Sequence, residues 1–397
     1  MPAKRRLYYF NALFDLPRQE LIKPALHRAA MEMSTLFIAL GNAEDLVLLR
    51  VKVSDNYREY LQESGLALPS FVNEHFRSCE SILPEPWAWD DTVVNLFEKM
   101  NLSVPHPPTD IVRVVNDRAF CTQFSQKEGT GVPGSQMMYS FEDFNILLAT
   151  GELEYPLVLK PSQGSSGFGF VLLNSPPDAS MLDRIKQLFE MSSYTVEPWY
   201  KRISDISSSV VIGIDGSVDL VRHYRCFVNS RGTFYGVHLS PESPGSSWEG
   251  LLTQKALSCS RFLFEKGYFG PVGFDSFIYE SSSGDERIAP VIEINARHVI
   301  SDIARALQSK LVPEKHVFFR FLSSKRCRLP ETYSELRTIL GSLSFSQQSK
   351  TGVLLITPLR ACSDIYRQPY RNAFLLSADS ESALFDMDRE LIMKLSR

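Results

Sequence analysis

Several features that would narrow the class of this chain at once are missing from it. Its six cysteines, Cys79, Cys121, Cys226, Cys259, Cys327 and Cys362, stand singly with no CxxC pair, which speaks against a zinc ribbon or a disulfide scaffold. Reduced thiols in a cytoplasmic setting fit that usage best. Positive charge is not in surplus: 42 Lys and Arg against 46 Asp and Glu leave a net charge of -4, too little to neutralise a phosphate backbone, so no nucleic-acid partner is expected. No apolar run is long enough to span a bilayer, and no membrane partner is expected either. Lys4, Arg5 and Arg6 precede an apolar run in the manner of a signal peptide, but Asn11, Asp15 and Arg18 interrupt it too early. Residues 5–14 read instead as a first strand.

With 44% apolar and 22% charged residues, the 397-residue chain has an ordinary globular composition and is long for one core, so two or three packed units are expected. Residues 1–109 alternate apolar strands (RRLYYFNALF, STLFIAL, LVLLRVKV) with helical segments such as KPALHRAAMEM, an α/β pattern that Pro105, Pro107 and Pro108 then close. Residues 110–325 form a longer α+β unit, divided at 195/196. In it, Leu182, Ile185, Leu188 and Phe189 make one helical stripe, capped by Asp178 or Ser180. Leu252, Ala256, Cys259 and Leu263 make another, ended by Gly267. Residues 326–397 read as a small α+β segment with strands VLLIT and FLLSA and a last helix from about 380.

The chemistry concentrates in four segments. In PVIEINAR, residues 290–297, strand alternation puts Glu293, Asn295 and Arg297 on one face and Ile292, Ile294 and Ala296 on the other. Three polar groups in line on an apolar strand call for a ligand: hard oxygens for Mg²⁺ from Glu293 and Asn295, a phosphate fork from Arg297. An internal Glu–Arg salt bridge is the alternative. In YPLVLKPSQGSSGFGFVLL, residues 155–173, glycines and serines join two strands, so the loop is a hairpin flap, unlike the strand-to-helix loop of a dinucleotide or Walker fingerprint. Such a flap can cradle phosphates or be merely flexible; Lys160, ending an apolar strand, favours the phosphate. In TVEPWYKRISD, residues 195–205, Glu197, Pro198, Trp199 and Tyr200 can flank a purine while Asp205 reaches a ribose, or simply pack a tryptophan at a strand end. In GPVGFDSFIYE, residues 270–280, Asp275 lies one hairpin upstream of Glu293, and antiparallel pairing would join the two carboxylates and Asn295 around a cation, the alternative being a turn-proximal Asp capped by backbone.

Together LVLKPSQGSSGFGF, VEPWY, GFDSF and EINAR, in this order over residues 110–325, resemble the ATP-grasp superfamily of carboxylate-amine ligases. The resemblance implies an α/β (α+β) ATP-grasp fold: a Rossmann-like pre-ATP-grasp domain, two α+β subdomains sandwiching ATP, and a small C-terminal segment. It further implies that Lys160 contacts ATP, that Gly164, Ser165, Ser166, Gly167 and Gly169 form the lid, and that Glu197, Pro198, Trp199 and Tyr200 lie at the adenine hinge. Asp205 would reach the ribose, Asp275, Glu293 and Asn295 would ligate two Mg²⁺ ions, and Arg297 would hold the transferring phosphate. NDRAF, residues 116–120, is similar to the segment that opens many such domains, making Arg118 a phosphate contact. More narrowly, ALGNAEDLVLL, NYREYLQESGL and the tail from Gly352 resemble pheganomycin-type peptide ligases.

The expected reaction is ATP-dependent amide or peptide bond formation through an acyl phosphate, with amino acids or peptides as small-molecule substrates. A small-molecule kinase and a catalytically silent nucleotide binder stay open as alternatives. Arg225, which shares a strand face with His223, is the candidate for clamping a substrate carboxylate, against a plain surface ion pair. His298 falls on the packed face. No stretch is diagnostic of a dimer interface, and a homodimer stays open.

Overall fold

The structure, a computed structural model, describes residues 4–11, 13–14, 24–77, 81–163, 169–219, 221–230, 232–241, 247–281, 283–360 and 369–396, with backbone alone at 24–26, 28 and 29. The first unit consists of β1 (Arg6–Tyr9), α1 (Pro24–Met33), β2 (Leu46–Leu48), α2 (Asp55–Glu63), β3 (Ser70–Val72), β4 (Leu83–Pro86) and α3 (Asp91–Lys99). Its strands pair in parallel in the order β3-β2-β1-β4. STLFIAL, expected as a strand, is instead a 3-10 helix, Ser34–Ala39, with every residue buried. The run has no two-residue period to hold it extended, and the Ser34 and Thr35 hydroxyls donate back to the Met31 and Glu32 carbonyls at 2.6 and 3.0 Å, continuing α1.

The second unit contains α4 (Thr109–Val115), α5 (Arg118–Glu128), β5 (Gln136–Met138), α6 (Phe141–Thr150), β6 (Leu157–Pro161), β7 (Val171–Leu173), α7 (Ala179–Phe189) and β8 (Tyr194–Pro198). Its antiparallel sheet runs β5-β8-β6-β7, and β6 and β7 form the expected hairpin, Leu157 facing Leu173. Asp178 caps α7 by accepting from the Met181 N–H at 2.8 Å, and Ile185 is buried against the sheet.

The third sheet has eight strands. After β8 come β9 (Lys201–Ile212), β10 (Arg222–Val228), β11 (Phe234–Leu239), α8 (Glu249–Glu265), β12 (Gly270–Glu280), β13 (Glu286–Asn295), α9 (Ile300–Leu311), β14 (His316–Ser323), α10 (Tyr333–Leu340), β15 (Gly352–Leu355), β16 (Arg371–Ala378) and α11 (Glu381–Leu395). The order is β13-β12-β9-β10-β11-β14-β16-β15, antiparallel throughout. Strands from the C-terminal segment therefore complete the sheet that holds PVIEINAR. Phe37 and Trp87 of the first unit share one buried cluster with Phe319 and Leu375 of this sheet, so the first unit is seated on it. Gly273, opposite Asn295, admits Val299 so closely that a Cβ would lie 2.5 Å from Val299 Cγ1. That contact fixes where α9 begins.

Candidate functional site

Strand register does most of the assembly. Asp275 pairs with Glu293 on one side and Ser207 on the other, and Gly273 pairs with Asn295, so these side chains share one face of the eight-stranded sheet. That face floors a cleft of about 630 Å³, reached by Lys160 from the smaller sheet and by Phe10 and Trp87 from the first unit.

Simple alternation fails at one place. Between Asp275/Phe277 and Glu293/Ala289 two residues of β12 span four of β13. This bulge turns Val291 into the core with Ile294 and Ala296, and sends Ile292, expected with them, to the cleft beside Glu293. Because β13 ends at Asn295, Arg297 is placed by its own bonds: Nη2 donates to Asn295 Oδ1 at 2.8 Å, Nη1 to the His298 carbonyl at 3.0 Å, and the guanidinium lies 5.0 Å over Trp87. His298 itself packs edge-on to Phe37 and lies 3.5 Å from Asp302.

Glu293 does form an internal salt bridge, but with Arg118 rather than Arg297. Arg118 opens α5 behind the Asp117 cap, is 4% exposed, and donates to Glu293 Oε1 at 2.7 Å and the Pro161 carbonyl at 2.6 Å. Asp275 accepts from Asn295 Nδ2 at 3.2 Å; burial and then the facing Glu293 push its carboxyl up to about 6. Two carboxylates face to face with such an upward shift are what a divalent cation relieves, while Asn295 here turns its amide nitrogen to Asp275 and its oxygen to Arg297. The fit rests on that donor set, since among the described residues no three His, Cys, Asp or Glu converge on one point.

Lys160 is 4% exposed and its ammonium donates to the equally buried Glu197; burial lowers its pKa while Glu197 opposes the shift. Its partner in this structure is thus a carboxylate of the hinge. Glu197, Pro198, Trp199 and Tyr200 link the two antiparallel sheets: the Trp199 N–H donates to the Pro156 carbonyl at 2.7 Å, and Tyr200 stacks on Tyr279 with centroids 4.5 Å apart. Asp205 lines the cleft, ion-paired to Arg202 and with its carboxyl raised by burial. Gly169 takes φ +81 against Pro161 and lines the cleft. Gly164, Ser165, Ser166 and Gly167 lie outside the described residues.

Arg225 does not join this cluster. It pairs with Ile206, one residue out of phase with Asp205, so it leaves the opposite face of the sheet, where Nη2 donates to Glu381 Oε1 at 2.5 Å and the guanidinium lies over Phe227 and Phe385. His223 is on that same outer face, held between Ser208 at 2.7 Å and Thr253 at 2.8 Å. Sequence reasoning also passed over Arg202, whose guanidinium sits between Trp199 and Phe277 at 4.9 and 4.3 Å. Its spacing gave no signal, because the register of β9 with β12 shifts between the Ser204–Ile278 and Arg202–Tyr279 pairs.

No protein-family model and no curated protein matches this chain. Solved structures do match over nearly its whole length. An ADP complex of N5-carboxyaminoimidazole ribonucleotide synthetase covers 99% of this chain and 97% of its own at 15% identity and TM-score 0.56. The Staphylococcus aureus N5-carboxyaminoimidazole synthetase covers 99% and 98% at 12% identity and TM-score 0.56. Phosphoribosylamine–glycine ligase from Thermotoga maritima covers 98% and 96% at 12% identity and TM-score 0.56. What this chain shares with them is the ATP-grasp fold, a parallel α/β unit followed by two antiparallel sheets with a cleft between them.

Proposed function

We propose that this protein is an ATP-dependent carboxylate-amine ligase that joins amino-acid or peptide substrates through an acyl phosphate and releases ADP and phosphate. The observation that carries the reading is the convergence of Lys160, Asp275, Glu293, Asn295 and Arg297 on one cleft between two sheets. Such a density of charge, partly or wholly buried, is costly unless a charged ligand uses it. The fold supports it, since the similar structures include synthetases crystallised with ADP and with ATP.

In this reading Lys160 and Arg118 contact the ATP phosphates, the hinge Glu197, Pro198, Trp199 and Tyr200 borders the adenine, and Asp205 accepts from the ribose. Asp275, Glu293 and Asn295 would hold Mg²⁺, which when bound neutralises phosphate charge and polarises the phosphoryl group. Arg297, braced by Asn295 and Trp87, would hold the transferring phosphate. The segment with Gly164, Ser165, Ser166, Gly167 and Gly169 covers the reacting atoms and keeps water from the acyl phosphate. The narrower likeness to pheganomycin-type ligases makes peptide bond formation the favoured chemistry. A coupled ADP-release screen over pairs of carboxylates and amines, with the product's mass measured, tests the proposal. ADP release that requires both partners and yields their mass less water supports it; no release with any pair, or release with a phosphate monoester and no amine, overturns it.

A further inference from the structure

Three arginines buried in and around this sheet are paired with carboxylates: Arg118 with Glu293, Arg202 with Asp205 and Arg320 with Asp388. The far end of the cleft departs from that pattern. Arg371, the first residue of β16, lines the same cleft as Asp275. Its Nη2 donates to the Phe234 carbonyl at 2.8 Å and its guanidinium lies 4.7 Å over the Phe321 ring. Among the described residues it has no acidic partner, and burial alone pulls its pKa down. An arginine keeps its charge even so, and a carbonyl with an aromatic face satisfies only part of a five-donor fork.

The surroundings restrict what completes that fork. The cleft that Arg371 and the carboxylates share has broad apolar surfaces, Phe10, Met33 and Trp87 from the first unit and Phe234 and Phe321 from the sheet, beside the polar Ser207, Thr233 and Arg202. The Phe234 carbonyl, which marks where the guanidinium sits, belongs to β11, three strand spacings from Asp275 on β12. At about 4.8 Å per spacing the lateral separation is ~14 Å. A two-carbon amino acid does not bridge it.

We propose that Arg371 anchors an oxyanion carried by the substrate, and that the substrate is an elongated molecule with a bulky apolar or aromatic body between that anion and the group that reacts. Assigning the anion to the reacting substrate rests on the ligase reading; the anion site itself does not. The oxyanion is a carboxylate, as at a peptide C-terminus, or a phosphate monoester.

Calorimetric titration of the full-length protein, with a non-hydrolysable ATP analogue and Mg²⁺ present, tests this without turnover. The probes are the dipeptide Leu-Phe, its C-terminal amide, phenyl phosphate and glycine. Leu-Phe or phenyl phosphate is expected to bind, and which one does distinguishes carboxylate from phosphate, while the amide and glycine do not. Arg371→Met is expected to weaken that binding roughly 10- to 100-fold, the scale of one charge-assisted hydrogen bond, and Arg371→Lys by less. Equal binding of Leu-Phe and its amide, no binding of either anion, or an unchanged affinity in a folded Arg371→Met variant overturns the proposal. The amide comparison uses the unaltered chain, so it stands even where Arg371→Met misfolds. In the ADP-release screen, turnover whose substrate KM ignores Arg371→Met removes the anchor and leaves the ligase; anion binding through Arg371 with no ADP from any pair does the reverse.

Discussion

Arg118 and Glu293, 175 residues apart in sequence, meet at 2.7 Å and tie the start of α5 to the carboxylate strand β13. The guanidinium is nearly inaccessible while the carboxylate is about a quarter exposed toward the cleft. The pair is therefore a structural joint whose acidic half is still available to a ligand.

Replacing Glu293 by Gln leaves Arg118 buried beside a neutral amide. Urea unfolding is expected to show a loss of about 1–3 kcal/mol, and ADP release should fall at least 100-fold. A variant as stable as the parent would mean that the ion pair contributes nothing to the fold.

Lys160 and Glu197 form a more deeply buried pair, with side chains 5% and 7% exposed. Lys160→Met strands a carboxylate, Glu197→Leu strands an ammonium, and each single change should cost about 3–5 kcal/mol. The double variant should regain most of that stability yet fail to bind ATP. A double variant as unstable as either single one would show that packing, not charge, dominates the site.

At Gly273 the space for a side chain is already taken by Val299. Gly273→Ala should destabilise the protein by about 1–3 kcal/mol and shift the start of α9 away from Asn295. ADP release should suffer more than the melting temperature suggests, which differential scanning calorimetry beside the activity assay would show.

On the outer face, His238 is stacked on His316 with Arg225, Glu381 and Phe385 around it. Burial, then Arg225, lowers its pKa from 6.5 to about 4. Between those values the unfolded chain holds the proton more tightly than the folded one, so its stabilising contribution is complete above pH 6.5 and is lost as pH falls toward 4. Melting curves from about pH 7 to about 4.5 should be flatter for His238→Gln than for the parent.

Arg225→Ala should leave the KM and kcat of any ligase reaction unchanged and cost no more than about 1 kcal/mol, as befits a half-exposed pair with Glu381 on the far side of the sheet. A large rise in a substrate KM would contradict that placement.

Much of this was legible in the sequence, and the parts that were not have definite causes. The pairing of Asp275 with Glu293 followed from two apolar strands and a short turn, because antiparallel hairpins leave little freedom of register. Ile292 falls on the wrong side under simple alternation because a bulge changes the phase, and its one mark in PVIEINAR is Pro290, which has no N–H to give to the ladder. STLFIAL misleads because an apolar run buried on every side looks the same as strand or helix. Arg225 is misplaced by parity: it and Asp205 both lie on site-forming strands, but only the register of β9 with β10 says which face each takes. The partners of Lys160 and Arg118 were out of reach, since contacts between separate sheets have no sequence period at all.

The strand order also sets a schedule for synthesis. β16 lies between β14 and β15, so β15, made first, has no neighbour in the sheet until β16 has emerged. The strands bearing Asp275 and Glu293 can pair long before that, whereas the wall bearing Arg371 is closed only once β16 has been made. A nascent or C-terminally clipped chain would thus own the charged end of its cleft while lacking the end that measures what is placed there.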